Sequence, residues 1–282
     1  MYQTAKTELL GVFGCPIGHT LSPKLHSILA EQTNKDLVYL AFSATDEELG
    51  DKVNALKTLK ARGFNITIPH KVRIMEYLDV IDETAALIGA VNTAVNKNGI
   101  WHGYNTDGLG FLKSLKLNNV NISGKIILML GAGGSCRSVA FSLADVGAES
   151  ITIISRTKEK AQNIGDLIEK HTPCKFLDTF SQSKTYDIII NTTPLGMKPY
   201  ENENPFNHFE VVSKDTVCCD FIYSPWETNF LKEAKRNGAK TINGLGMLTF
   251  QGIFAYEHFF GEKYDDAFFE KIYKIFSQDF RK

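Results

Sequence analysis

The 282-residue sequence has no excess of charge of either sign, with 31 basic and 32 acidic residues and a formal net charge of -1. No basic block favours a nucleic-acid partner. The longest apolar runs, such as Ile126 to Leu130, are far too short to span a bilayer, and the N-terminus lacks the pattern of a secretory signal. We therefore expect a cytoplasmic protein whose partners include neither a membrane nor a nucleic acid.

Cysteine is scarce, and its pattern disfavours the common cysteine-based sites. The five residues are odd in number, and no two of them have CxxC spacing. The adjacent pair Cys218 and Cys219 suits neither a zinc site nor an ordinary disulfide. We expect reduced thiols that are mostly buried as small hydrophobic side chains. The spacing of the seven histidines also gives no ligand set, so we predict no bound metal.

Apolar runs bounded by Gly, Asn and Asp alternate with helical patterns, which indicates an α/β protein. In the first third, strands are predicted at residues 9–13, 38–42, 64–68, 91–95 and 100–104. Helices are predicted over residues 47–59 and from Ser22, with Ser22 as N-cap and Pro23 at the first helical position. A second run has predicted strands at residues 126–130, 151–155, 187–192, 216–222 and 240–242. The final segment, residues 245–280, is predicted to be helical, with aromatic side chains packed inward.

A glycine cluster follows the predicted strand at residues 126–130. Gly131, Gly133 and Gly134 lie between this strand and a helical pattern. Glycines let the backbone approach a pyrophosphate, whose charge is stabilised by the free amides and dipole of the helix N-terminus. A structural turn is the alternative, but the strand before the loop and the helix after it favour a dinucleotide site.

The residues after the next strand indicate which dinucleotide is bound. An NAD-preferring site usually has Asp or Glu there, whereas this sequence has Ser155-Arg156-Thr157-Lys158 and then Lys160. An arginine offers a fork of donors to a 2′-phosphate, and a threonine adds a hydroxyl. A solvated basic start to a helix is the alternative. Because the upstream glycine loop sets this position, we predict NADP.

Four polar stretches outside this unit each lie at the end of a probable strand. They are residues 18–23, 63–71, 89–93 and 103–108. Open α/β sheets build ligand sites at such strand ends. Each stretch alone could be turn chemistry, since Asn, Thr and Asp favour turns and caps. Together they supply neutral donors and acceptors, one amine and one carboxylate, as a polyhydroxylated acid would need.

At these motifs the sequence resembles the shikimate dehydrogenase family over essentially its whole length. The motifs that carry the resemblance are residues 19–23, 65–71, 92–93, 105–107, the Gly131 loop with Arg137, and residues 155–157, 191–197, 220–225 and 243–251. The resemblance implies reduction of 3-dehydroshikimate to shikimate with NADPH, in the route to chorismate and the aromatic amino acids. It implies an α/β substrate domain (residues 1–107 plus 244–282, with the C-terminal helices returning to it) and a Rossmann-type, doubly wound NADP-binding domain (residues 108–243).

The resemblance also assigns roles to individual residues. Lys71 and Asp107 would form the reacting pair, with Lys71 as the proton donor or the cation that stabilises the alkoxide. The substrate would be bound by Thr20, Ser22, Thr67, Asn92, Tyr223 and Gln251. The cofactor would be bound by Gly131, Ala132, Gly133, Gly134, Ser135, Ser155, Arg156, Thr157, Lys160, Asn191, Thr192, Gly244 and Met247. Without the resemblance, Lys71 would be interpreted as a surface lysine and Asp107 as the N-cap of a helix over residues 108–115.

Two departures from the family pattern leave alternatives open. The family usually has Ser at the position of Thr20 and commonly Asn at that of Ser155. Threonine keeps the hydroxyl but adds a methyl group and stiffens χ1, so quinate stays open as a substrate. The alternatives are a quinate/shikimate dehydrogenase that uses NAD or NADP, a non-catalytic binding paralogue, and methylenetetrahydrofolate dehydrogenase. The protein could be a monomer or a homodimer.

Overall fold

The computed structural model describes residues 3–280, which form two compact units. The first unit contains the described residues up to Thr106 and those from Thr249 onward, and the second is Asp107–Leu248. Over residues 3–280, no helix has the length and apolar character needed to cross a bilayer.

A mixed six-stranded sheet forms the centre of the first unit. Its strands are β1 (Glu8–Gly14), β2 (Leu37–Ser43), β3 (Gly63–Ile66), β4 (Val80–Ile81), β5 (Thr93–Lys97) and β6 (Ile100–Tyr104). They are arranged in the order β2-β1-β3-β5-β6-β4, with β1 parallel to β2 and β3, and β5 antiparallel to β3 and β6. The helices before the second unit are α1 (Ser22–Thr33), α2 (Leu49–Thr58) and α3 (Glu83–Ile88).

An all-parallel six-stranded sheet forms the centre of the second unit. Its strands are β7 (Ile126–Leu130), β8 (Ser150–Ile154), β9 (Lys175–Leu177), β10 (Ile188–Asn191), β11 (Val217–Asp220) and β12 (Lys240–Ile242). The helices are α4 (Asp107–Leu117), α5 (Gly134–Asp145), α6 (Lys158–His171) and α7 (Asn229–Arg236). The strand order is β12-β11-β10-β7-β8-β9, which reverses direction at β7. This is the doubly wound order of Rossmann-type domains, as predicted.

The central strand of the second unit is buried on both faces because helices cover both sides of a parallel sheet. On one face, Ile127 and Met129 pack with Val139 of α5. On the other face, Leu128 and Leu130 belong to a cluster that includes Phe230 of α7 and other apolar side chains. The loop that follows Leu130 therefore starts from a strand fixed on both sides.

The C-terminal segment is helical, as predicted, and it forms two helices. They are α8 (Leu245–Phe260) and α9 (Asp266–Ser277). The break has a local cause, since Gly261 has a φ of 67° and Asp265 caps α9 by accepting the N–H of Phe268 at 2.9 Å. From Thr249 onward these helices belong to the first unit, which confirms the expected return of the chain.

Several predicted boundaries were wrong. The strand expected at residues 64–68 ends at Ile66, because the chain turns after it and the His70 N–H donates to the Thr67 carbonyl at 3.0 Å. Ser22 is not the N-cap of α1; Leu21 occupies that position without a side-chain cap, and Ser22 is the first helical residue. Asp107 likewise begins α4 instead of preceding it. All five cysteines are free thiols, as expected, and four are buried.

Candidate functional site

A buried network of neutral side chains lies in the first unit, and Asn92 is at its centre. The Asn92 Nδ2 donates to Thr106 Oγ1 at 3.0 Å and to Gln251 Oε1 at 3.4 Å. Its Oδ1 accepts from the N–H of Thr106 and the hydroxyl of Thr93, each at 2.9 Å. The Thr106 hydroxyl also lies 3.0 Å from the Gln251 carbonyl oxygen, to which it can donate. The network therefore brings together two predicted substrate residues, Asn92 and Gln251.

Asn65 connects this network to the first strands of the sheet. Its Nδ2 donates to the Asn92 carbonyl and to Thr93 Oγ1, both at 3.0 Å, and its Oδ1 accepts the Tyr39 hydroxyl at 2.8 Å. Burial holds the pKa of Tyr39 well above its ordinary value, and the Tyr39 ring stacks on His26 at 4.1 Å. Hydrogen bonds therefore fix both the nitrogen and the oxygen of the Asn65 side-chain amide.

The predicted carboxylate-binding hydroxyls lie next to each other at the start of α1. Thr20 Oγ1 is 3.3 Å from Ser22 Oγ and accepts the N–H of Ser22 at 3.3 Å. Both side chains are half-buried. Thr67, also half-buried, follows β3, and a Cβ at Gly14 would lie 2.5 Å from its Cγ2. Glycine at position 14 therefore lets the end of β1 approach Thr67.

The predicted reacting residues are both buried. Lys71 is 8% exposed, so its interpretation as a surface lysine is wrong. Its carbonyl accepts the N–H of Val91 at 2.7 Å, directly before Asn92. Asp107 is 4% exposed and follows Thr106 in the chain. Lys and Asp are rarely buried to this extent unless they are partnered, which sets these two residues apart from ordinary surface charges.

The glycine loop of the second unit has two different kinds of glycine. Gly131 has a φ of 103°, and a Cβ there would lie 2.7 Å from Thr192 Oγ1, so this position requires glycine. A Cβ at Gly133 or Gly134 would have no atom within 4 Å. Gly133 is the N-cap of α5, and no side chain caps this helix end. The half-buried Ala132 and Ser135 flank these two glycines, and no capping side chain covers the N-terminus of α5.

The basic loop after β8 lies beside the glycine loop. The Gly131 N–H donates to the carbonyl of Ile154, the last residue of β8, at 2.7 Å. Ser155 Oγ accepts the Thr157 N–H at 3.2 Å, while Arg156, Thr157 and Lys160 are exposed. The N-terminus of α6 also lacks a side-chain cap. Two open helix ends and an exposed guanidinium therefore lie at one edge of the sheet.

The remaining predicted cofactor residues are mostly buried. Asn191 is fully buried and accepts the N–H and hydroxyl of Thr193 at 2.9 and 2.7 Å, so its side chain shapes the turn after β10. The half-buried Thr192 donates to the Leu130 carbonyl at 2.7 Å. A Cβ at Gly244 would lie 2.0 Å from the Phe221 carbonyl oxygen, and Met247 packs in the core of this unit.

Comparison with known proteins identifies the family to which this chain belongs. Residues 12–94 match the family model for the shikimate dehydrogenase substrate binding domain, and residues 113–202 match the model for shikimate / quinate 5-dehydrogenase. A shikimate dehydrogenase (NADP(+)) of Methanococcus maripaludis (strain C7) is 45% identical over 264 residues, which cover 92% of this chain and 94% of the relative. The chain belongs to the shikimate dehydrogenase family.

Solved structures of the shikimate dehydrogenase family have the same fold. One shikimate dehydrogenase, in complex with NADP+, is 39% identical with a TM-score of 0.87 and covers 97% of each chain. Shikimate 5-dehydrogenase of Listeria monocytogenes, in complex with shikimate and NAD, is 33% identical with a TM-score of 0.87. That alignment covers 96% of this chain and 98% of the Listeria chain.

Three residues with prominent roles in the structure were absent from the predicted site. Asn65 and Asp220 lie inside motifs that carry the family resemblance, so their motifs were available as a signal. Tyr39 had no such signal, because it occupies an ordinary position in β2. Tyr223, which was predicted, is half-buried, and burial raises the pKa of its hydroxyl. In the described part of the chain, no cluster of three His, Cys, Asp or Glu side chains is placed to hold a metal ion.

Proposed function

We propose that this chain catalyses the reversible, NADPH-dependent reduction of 3-dehydroshikimate to shikimate, in the route to chorismate and the aromatic amino acids. The observation that carries the proposal is the chemical contrast between two polar surfaces. The first unit has a network of neutral amides and hydroxyls and also contains a buried lysine. The second has open helix ends and an exposed arginine. The reaction would take place in the cytoplasm, where the five unpaired thiols stay reduced.

The first unit would bind the hydroxylated acid. Hydroxyl groups both donate and accept, so they pair well with the amides of Asn92 and Gln251 and the hydroxyl of Thr67. The neighbouring hydroxyls of Thr20 and Ser22 would donate to the substrate carboxylate. The Asn92 network holds its amides in fixed orientations, which lowers the entropic cost of binding. Tyr223 would contribute a further hydroxyl from the second unit.

The second unit has features that fit NADPH. The open space above Gly133 and Gly134 and the N-terminus of α5, which no side chain caps, suit a pyrophosphate. Arg156, with Thr157 and Lys160, offers donors and positive charge to a 2′-phosphate. No carboxylate follows β8 to repel that phosphate, since the segment reads Ser155-Arg156-Thr157.

In the proposed mechanism, NADPH supplies the hydride for the ring ketone. The Lys71 ammonium donates a proton from Nζ to the ketone oxygen, which becomes the hydroxyl of shikimate. Asp107 would be the second member of the reacting pair. In the reverse direction, the Lys71 amine accepts the hydroxyl proton. The burial of both side chains excludes water, which strengthens electrostatic interactions with the developing alkoxide.

We assign residues 1–107 and 244–282 to the substrate domain and residues 108–243 to the NADP domain. This division is close to that of the two compact units, and the open helix ends lie in the second of them.

Initial rates of shikimate and quinate oxidation, each with NADP and with NAD, test the proposal. We expect shikimate with NADP to give the highest kcat/KM. Loss of the phosphate contacts should make NAD poorer by at least about tenfold, since hydrogen bonds to charged groups contribute about 1.5–3 kcal/mol. Faster turnover of quinate with NAD would instead support a quinate/shikimate dehydrogenase. Absence of turnover with all four combinations would support a non-catalytic paralogue.

A further inference from the structure

Asp220 is a carboxylate buried in the second unit, with 1% of its surface exposed. Its Oδ1 accepts the Asn191 Nδ2 and the N–H of Ile222, each at 3.0 Å. Its Oδ2 accepts the Thr228 hydroxyl at 2.7 Å. Burial raises the pKa of Asp220 to about 7, although these three hydrogen bonds act in the opposite direction. Burial of a carboxyl group lowers the stability of the fold unless hydrogen bonds compensate for the loss of its hydration.

The three donors belong to three different segments at the carboxyl edge of the second sheet. Asn191 ends β10 and orders the turn that begins with Thr192 and Thr193. Ile222 follows β11 and precedes Tyr223. Thr228 is the N-cap of α7, where its hydroxyl oxygen also accepts the Leu231 N–H at 3.3 Å. One carboxylate therefore joins the turn after β10, the loop after β11 and the start of α7.

Close packing transmits the position of these segments to the glycine loop. A Cβ at Gly196, in the turn after β10, would lie 3.2 Å from the Thr228 side chain. A Cβ at Gly131 would lie 2.7 Å from Thr192 Oγ1. Because there is no free space at either contact, displacement of the turn after β10 displaces the support of the glycine loop.

We infer that Asp220 is a positioning residue for the cofactor: it fixes the turn that begins at Asn191 and so holds Thr192 against the glycine loop. The inference rests on the proposed function, because it takes NADPH as the ligand of that loop. Asp220 is 1% exposed, so direct contact with NADPH is not the role inferred for it. Its effect on binding would come from preorganising the loop, which lowers the cost of ordering it in the complex.

Asp187 offers a matched control at the opposite edge of the same sheet. It precedes β10, and its carboxylate accepts the N–H of Ile126 at 2.8 Å and the Lys125 ammonium at 2.9 Å. Like Asp220, it ties two strands of the sheet together through charged hydrogen bonds. Ile126 is the first residue of β7, whereas the glycine loop follows its last residue, Leu130. Loss of Asp187 should therefore lower stability without changing the loop.

The test compares NADPH affinity and thermal stability in the full chain. The dissociation constant of NADPH is measured by nicotinamide fluorescence for wild type, Asp220→Ala, Asp220→Asn and Asp187→Ala, beside the Tm of each. We expect Asp220→Ala to raise the Kd and the KM for NADPH about tenfold while kcat at saturating NADPH changes little. Asp187→Ala should lower the Tm and leave the Kd near that of wild type.

The conservative variants test the hydrogen bonds one by one. Asp220→Asn keeps an oxygen for Asn191 and Ile222 and can direct its amide at the Thr228 hydroxyl, so most of the affinity should return. Thr228→Ser keeps the hydroxyl that Asp220 accepts, and Thr228→Val removes it at similar size. We expect only the valine variant to weaken NADPH binding, and this pair preserves the test if Asp220→Ala does not fold.

The inference is overturned if Asp220→Ala or Thr228→Val lowers the Tm with an unchanged Kd for NADPH. It is equally overturned if Asp187→Ala raises the Kd as much, because the effect would then follow stability alone. A wild-type chain that binds NADPH without reducing 3-dehydroshikimate would contradict the proposed function only. A wild-type chain that does not bind NADPH would contradict both proposals.

Discussion

The two units build their polar surfaces from different parts of the chain. In the first unit, side-chain amides and hydroxyls bond to one another around Asn92 and Asn65. In the second, the N-terminus of α5 presents backbone beside Gly133 and Gly134, which have no side chains, and the exposed Arg156 adds a charged donor. A side-chain surface can distinguish between hydroxyl patterns, whereas a backbone surface recognises the charge and shape of phosphates. The surface of the first unit therefore suits a hydroxylated acid, and that of the second unit suits the phosphates of a dinucleotide.

Their buried ionisable groups differ as well. The first unit contains His26, which is fully buried with no partner for Nδ1 among the described residues, and burial lowers its pKa to about 3. The second contains Asp220, whose pKa burial raises to about 7. Burial therefore shifts the two pKa values in opposite directions, downward for His26 and upward for Asp220.

The largest expected effect comes from the amine of the first unit. Lys71→Ala should lower kcat by about 10²–10⁴-fold, the usual contribution of general acid–base catalysis, with a much smaller change in KM. Steady-state kinetics with shikimate and NADP measure this split. Lys6→Ala, which removes an exposed lysine from the same unit, is the control. Turnover of Lys71→Ala near the wild-type rate would sink the proposed role.

Arg156 tests whether the second unit distinguishes NADP from NAD. Arg156→Ala should raise the KM for NADP by about ten- to a hundredfold, because it removes a charge-assisted contact of about 1.5–3 kcal/mol. The KM for NAD should hardly change, since NAD has no 2′-phosphate. Lys170→Ala removes an exposed charge from the last turn of α6 and should change neither value. Equal effects on both cofactors would exclude recognition of the 2′-phosphate by Arg156.

The glycine loop allows the fold and the binding of NADPH to be separated. Gly131→Ala forces a non-glycine residue to a φ of 103° and places its Cβ 2.7 Å from Thr192 Oγ1. The free energy of unfolding should fall by about 1–3 kcal/mol. Gly134→Ala adds a methyl group in open space at the first position of α5, so it should weaken NADPH binding without lowering stability. Chemical denaturation of both variants measures the free energy of unfolding, and fluorescence titration measures NADPH affinity. Tight NADPH binding by Gly134→Ala would contradict the account.

The smallest effects concern pH. His26 has a lowered pKa in the folded state, so its contribution to stability is lost as the pH falls below about 6.5 towards 3. Asp220 has a raised pKa, so the folded state holds the proton more tightly and stability declines as the pH rises from about 4 to 7. The free energy of unfolding is measured at pH 5 and 7.5. From pH 7.5 to pH 5, it should decrease less in His26→Phe than in the wild type. Asp220→Asn should show a smaller loss at pH 7.5, and unchanged slopes in both variants would refute these assignments.

Much of the fold could be predicted from the sequence, because the strands of the two sheets are regular apolar runs. The apolar strands of the second unit, separated by helical stretches, predicted its parallel sheet correctly. Strands β4 and β9 have only two and three residues, which is too short to show a period. The N-cap predicted for α1 was wrong: the helix begins one residue earlier than expected, at Ser22, whose N–H donates to Thr20 Oγ1.

The candidate site was predictable only where motifs marked it. The positions of Lys71 and Asn92 followed from motifs, but the burial of Lys71 did not, since burial depends on contacts between distant segments. Asp220 joins Asn191 and Thr228, which lie 29 and 8 residues away in the chain. Local sequence does not record such a partnership. The roles of the individual site residues stay predictions that the kinetic experiments test.

The division of labour between the two units is tested most directly by a kinetic cycle of Gln251→Ala, Arg156→Ala and the double variant. For each enzyme, initial rates are measured while shikimate and NADP are titrated separately. We predict that Gln251→Ala raises the KM for shikimate alone, that Arg156→Ala raises the KM for NADP alone, and that the double variant combines both changes without further loss. A shift of the NADP KM by Gln251→Ala, or of the shikimate KM by Arg156→Ala, would contradict the account.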